Sequence, residues 1–205
     1  MGNCNAKSCE KYILEGVYAV QRIVFLRHSE PDYAFVRERK YIGHGLDLAQ
    51  LTENGIRIAE NISHDNRLDN AEIIVSSPYT RALQTAAIIS KNRQLDIKID
   101  VDLHEWMPDI SFQYSSKEES VKASELCSRY KGVCPADSEI KFENLIDVFN
   151  RAKNALLRYG KYKKILVVTH VIVMRQFTVE PEIPFCGISE IDFDESFSWT
   201  GFKAD

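Results

Sequence analysis

Short apolar runs rich in branched residues alternate along this chain with stretches whose apolar positions recur every three or four residues. Residues 22–27 (RIVFLR), 71–76 (AEIIVS) and 164–169 (KILVVT) are of the first kind and predict buried strands, with a weaker one at 97–101. Thr52 has the chemistry of an N-cap, and Ile56, Ala59 and Ile62 mark one face of the helix after it. Ser77 as cap, with Pro78 at the first helical position, predicts a second helix through about Lys91. Phe142, Leu145, Ile146, Phe149, Ala152 and Leu156 form a third helical stripe, stopped at Gly160. A short helix is expected near 171–178, and edge strands at 187–193 and 197–202.

Strands alternating with helices predict an α/β fold: a three-layer sandwich with a mostly parallel central sheet and helices on both faces. Residues 29–50 read as a long polar connection. Residues 106–140 are charged, serine-rich and poor in apolar periods, and read as an inserted cap. The organisation expected is a single domain over 21–205 behind a polar leader, residues 1–20, in which 13–20 is the part able to order.

Composition narrows the partners. At 205 residues, 44% hydrophobic and 27% charged, the chain is long enough to bury a core without staples. A formal charge of −4 offers no global attraction to nucleic acid or acidic lipid, so an anion site must be built locally. The five cysteines, Cys4, Cys9, Cys127, Cys134 and Cys186, form no CxxC pair, which points to reduced thiols and a cytoplasmic location. No apolar run reaches the roughly 18 residues of a membrane span. The Met1-Gly2 start lacks the rest of an acylation motif, because Ala6 stands where Ser or Thr is needed.

Polar groups fall just beyond three strand ends: Arg27-His28, the Ser76–Arg81 segment and His170. Ligands of open α/β sheets collect at that carboxyl edge. Arginine forks suit phosphate, and neutral imidazole can attack phosphorus while a carboxylic acid protonates the leaving oxygen. Arg27 and Arg81 are the forks, His28 and His170 the imidazoles, and Glu105 the acid, with Asp102, Asp109 and Glu30 as nearby alternatives. No spacing of His, Cys, Asp or Glu suggests a metal site, and no cofactor is implied.

These residues resemble the histidine phosphatase superfamily, the phosphoglycerate mutase-like enzymes. Leu26-Arg27-His28-Ser29-Glu30 is similar to its Arg-His-Gly signature, and Ser76-Ser77-Pro78-Tyr79-Thr80-Arg81-Ala82-Leu83-Gln84-Thr85 to its second arginine segment. Leu103-His104-Glu105, Val167-Val168-Thr169-His170 and Leu51-Thr52-Glu53-Asn54-Gly55 follow in the family's order. The resemblance implies that His28, rather than His170, becomes phosphorylated, that Glu105 donates the proton, and that Arg27, Arg81 and His170 hold the phosphate. Ser29 and Val171 stand where the family usually has glycine; Ser29 would add a hydroxyl donor and Val171 would narrow the pocket. Glu30, Tyr33, Tyr41 and Trp106 are further candidates for substrate contact, and His44, between two glycines, for the entrance or a turn.

The expected activity is metal-independent phosphomonoester hydrolysis of a small phosphorylated metabolite. The alternatives are a phosphoglycerate-type mutase and a catalytically weak phospho-ligand binding module. Mutases of the family resemble longer chains whose tail closes the site, whereas 35 residues follow His170 here.

Overall fold

The computed structural model describes residues 20–114, 116–180 and 182–202, so almost all of the polar leader lies outside the described residues. Its centre is a five-stranded sheet built from β1 (Gln21–Arg27), β4 (Ile73–Ser76), β5 (Ile97–Ile99), β6 (Lys164–Thr169) and β7 (Ile188–Phe193), in the order β5-β4-β6-β1-β7. All neighbours run parallel except β7, which pairs antiparallel with β1 at the edge. Continuous apolar runs suit such strands because both faces are covered. Ile23 and Phe25 point into one core and Val24 and Leu26 into the other, all fully buried.

The first core is closed by α5 (Leu145–Leu157) and α6 (Val171–Arg175), and the second by α2 (Glu53–Ile62) and α3 (Thr80–Arg93). The three-layer expectation therefore holds. The apolar stripe of α5 begins with Phe142 in the preceding loop, and Thr52 caps α2 by accepting from the Gly55 amide at 2.8 Å.

Four local expectations are corrected. Helix α3 starts at Thr80 with Tyr79 as its N-cap residue; the Ser77 hydroxyl lies ahead of it, accepting from the Tyr79 amide at 3.3 Å and meeting His170 at 2.7 Å. The strand expected over 97–101 stops at Ile99, since the Asp100 side chain accepts from the Asp102 amide and starts a 3-10 turn, Val101–Leu103. The cap contains a helix, α4 (Lys117–Arg129), in which only Ala123 and Cys127 are buried, too few apolar positions to show a period. Residues 197–202 form no strand; Phe197, Trp199 and Phe202 pack against the first core, and the Trp199 indole N–H donates to Gln176 at 2.9 Å.

The polar connection after β1 is also structured. It holds a two-residue antiparallel pair, β2 (Pro31–Asp32) with β3 (Gln50–Leu51), then α1 (Ala34–Glu38) and a 3-10 segment, Gly43–Leu48. Gly55 brings α2 against the chain that leaves β1: a Cβ there would run into the Glu30 carbonyl oxygen, and the Ser29 hydroxyl donates to the Gly55 carbonyl at 2.7 Å. Gly55→Ala is expected to cost about 1–3 kcal/mol by overpacking, read as a lower urea midpoint at unchanged slope.

Candidate functional site

Strand register assembles the site. β1 and β6 run side by side with Arg27 opposite Thr169, so His28 and His170 leave the sheet as neighbours at its carboxyl edge. Their ring centroids lie 5.1 Å apart. β4 ends beside them with Ser76 opposite Val168, and the first turn of α3 delivers Arg81. Thr169 Oγ1 donates to the Leu103 carbonyl at 2.8 Å, drawing the Glu105 loop to the same edge.

Arg81 sits between the two histidines, its side chain only 5% exposed. Its Nε–H donates to His28 Nε2 at 3.2 Å and its Nη2–H to His170 Nδ1 at 3.3 Å. The third corner, Nη1, is ion-paired with Asp47 at 3.0 Å. Burial disfavours the Arg81 charge, but the pull of Tyr33 and Asp47 outweighs it and leaves the guanidinium firmly charged.

The tautomers follow from the partners. His28 Nδ1 lies 2.7 Å from the Ser29 carbonyl, which can only accept, so Nδ1 carries the proton and Nε2 a lone pair. His170 accepts from Arg81 at Nδ1, so its Nε2–H donates to the Ser77 hydroxyl at 2.7 Å. Burial and then the Arg81 charge hold both imidazoles well below the usual histidine range, and therefore neutral.

Glu105 is the opposite case. Burial raises its carboxyl above the ordinary value despite the Trp106 amide donating at 2.9 Å and the nearby charge of Arg81. A clamp fixes its backbone: Arg151 of α5 donates to the carbonyls of Asp102, His104 and Glu105 at 2.6, 2.8 and 3.3 Å, and pairs with buried Glu143 at 2.7 Å.

Arg27 is held by the Ile183 carbonyl at 2.7 Å and lies 4.4 Å over the Phe185 ring, which also packs on His28. Its buried Nε has no partner among the described residues, a donor available to an anion. Ser29 differs from expectation: its amide donates to Thr85 Oγ1 at 3.0 Å and its hydroxyl to Gly55, so both donors are already engaged. Glu30 accepts from Thr52 and Asn54 at 2.7 and 2.9 Å, tying it to the start of α2. Val171 packs against the first core.

Above Arg81 opens a cavity of about 920 Å³, whose lining includes Glu105, Tyr33, Tyr41 and Trp106. The histidines lie beneath this lining, His28 5% and His170 0% exposed. The lining also contains residues the sequence reading left unassigned: Asp47, Tyr79, Tyr114 and Ile172. His44 lines it too, paired with Asp47 at 2.7 Å and 3.2 Å from the Tyr79 hydroxyl. The available signal was Gly43 and Gly45 on either side of His44; Gly43 has φ of 51° and packs directly against the Phe112 backbone. Among the described residues no group of three or more His, Cys, Asp or Glu is arranged to hold a metal ion.

Comparison with known proteins adds three solved structures with this fold. A mycobacterial glucosyl-3-phosphoglycerate phosphatase matches with a TM-score of 0.67 at 18% identity, covering 91% of this chain and 100% of its own. The Bacillus stearothermophilus protein YhfR matches at 0.64 and 21%, covering 88% and 96%. The α-ribazole phosphatase of Shigella flexneri matches at 0.62 and 21%, covering 89% and 96%. No curated protein matches the sequence. The family model described as histidine phosphatase superfamily, branch 1, matches residues 23–182, and the chain belongs to that family.

Proposed function

We propose that this chain hydrolyses small phosphate monoesters in the cytoplasm through a phosphohistidine at His28 Nε2, without a metal or cofactor. The observation that carries the reading is the state of His28: a neutral imidazole, oriented by its Nδ1–H on a carbonyl, with its lone pair beside a charged arginine fork. A phosphoryl group entering above Arg81 takes over the Nε and Nη2 donors from the histidines, which frees the His28 lone pair for in-line attack. Arg27 completes the oxygen contacts, and His170 joins them once Arg81 has left its Nδ1 and the ring proton has moved there from Nε2, the Ser77 hydroxyl then donating to Nε2. As the phosphorus–nitrogen bond forms and the ester bond breaks, Glu105 gives its proton to the leaving oxygen. The resulting carboxylate then takes a proton from water, which attacks phosphorus, breaks the phosphorus–nitrogen bond and releases inorganic phosphate. Tyr33, Tyr41 and Trp106 contact the alcohol part of the substrate. The free thiols of Cys134 and Cys186 support a reducing compartment.

Three measurements test this. His28→Ala should abolish phosphate release with EDTA present, while circular dichroism shows an intact fold; near-normal turnover would refute the mechanism. Glu105→Gln should slow alkyl esters by ~10²–10⁴ and an activated aryl ester much less, because the latter needs little protonation. Equal losses on the two esters would assign the proton to another group.

The third is pH dependence. Turnover needs neutral His28 and protonated Glu105, so the profile of kcat/KM should be bell-shaped, and Glu105→Gln should lose the alkaline limb. Stability should respond through the histidines. Between their lowered folded values and the unfolded value near 6.5, only the unfolded chain binds the proton. The histidine contribution therefore falls as pH drops below about 6.5, by up to ~1.4 kcal/mol per unit per histidine, in urea titrations at pH 7 and pH 5; Glu105, its carboxyl raised, works the other way, so the titrations are made in Glu105→Gln.

A further inference from the structure

The phosphoryl group fills only the floor of the 920 Å³ cavity, which stands at the upper end of the roughly 300–1,000 Å³ usual for ligand sites. The rest must accommodate the alcohol part of the ester, and its walls describe that part. Among the described residues five aromatic side chains line the space: Tyr33, Tyr41, Tyr79, Trp106 and Tyr114. One of them offers its ring rather than a polar handle: the Trp106 indole N–H already donates to the Glu143 carbonyl at 2.6 Å.

Part of the lining's polarity is already committed. Asp47 serves Arg81 and His44, and Asp109 accepts from Ser111 and Gln113. Ser116 caps α4 by accepting from the Glu119 amide, while Lys117, Glu118, Ser120 and Ser124 give that wall its remaining polar groups. Among the described residues no asparagine or glutamine lines the cavity. A flat apolar ring can stack against this aromatic surface, where a polyol gains no ring-to-ring contact. At the mouth, Tyr41 and Ile42 remain 37% and 53% exposed, apolar surface that a bound ring would cover. Arg37, set 5.2 Å over the Tyr33 ring, and Lys40 stand on the same side and can lie over an aromatic face.

We propose that this site selects phosphate monoesters whose alcohol carries an extended aromatic ring system, in preference to sugar phosphates. The inference rests on the phosphatase reading above and adds the class of substrate to it.

The test compares 2-naphthylmethyl phosphate with glucose 6-phosphate; both leave as primary alkoxides, so leaving-group acidity does not separate them. Wild type should favour the naphthylmethyl ester at least about tenfold in kcat/KM, chiefly through KM. Tyr41→Ala and Tyr114→Ala should each shrink that ratio by about threefold to tenfold, the worth of one aromatic contact. Equal or better turnover of glucose 6-phosphate would overturn the inference and leave the phosphatase reading standing. A ratio unchanged in both variants would overturn it too. Calorimetric titration of both esters into His28→Ala measures recognition without turnover. Tighter binding of the naphthylmethyl ester there supports the inference even if wild type releases no phosphate, an outcome that would refute the hydrolase reading alone; equal affinities would overturn the inference.

Discussion

A buried guanidinium must be paid for in fixed partners, and the arrangement around Arg81 follows from that need. An unpaired charge at such depth costs several kcal/mol, and stripping a partner from a buried pair typically costs ~3–5 kcal/mol. The histidines flanking Arg81 are neutral and give it hydrogen-bond acceptors but no counter-charge. Glu105, with its raised carboxyl, gives little more. Asp47 is the carboxylate in direct contact, and it takes the outer corner of the guanidinium. The edge formed by Nε and Nη2 is thereby turned toward the two imidazoles. The same positive charge helps keep His28 neutral, so one ion pair sets both the anion-binding fork and the state of the nucleophilic nitrogen.

The acid is held by a separate frame. Glu105 lies on a loop after the shortest strand of the central sheet, where sheet hydrogen bonds alone would fix it poorly. Arg151 reaches from α5 to three carbonyls of that loop and is neutralised by Glu143, which also accepts from the Met107 amide at 3.2 Å. The carboxyl is thus positioned through its backbone, leaving its side chain in a setting where burial keeps the proton on.

The cap is part of the first core rather than a separate lid. Ala123 and Cys127 of α4 join the cluster that contains Ile23, Phe25, Ile165 and Val167. The cavity lies between this anchored segment and the connection after β1, which the glycines at 43 and 45 fold over Arg81. Chemistry at the sheet edge and selection by the walls therefore belong to different stretches of chain, and the walls can diverge without disturbing the edge.

The sequence by itself determined the sheet, its two covered faces and the residues at its carboxyl edge. Branched runs such as KILVVT are best satisfied by burial on both sides; Arg27 closes β1, His28 and His170 follow strand ends directly, and Arg81 lies in the first turn of the helix after β4. Tertiary structure decided what depends on contacts between distant segments. Ser77 has an N-cap's composition but faces His170, across 93 positions of sequence. Ser29 looked like a spare donor, yet Thr85 and Gly55 consume both of its hydrogens. Asp47 lay in a polar connection with no periodic pattern, and only the fold over Gly43 and Gly45 brings it 3.0 Å from Arg81. Periodicity reports which face of an element is buried; it carries no information about which polar group meets which once the loops close.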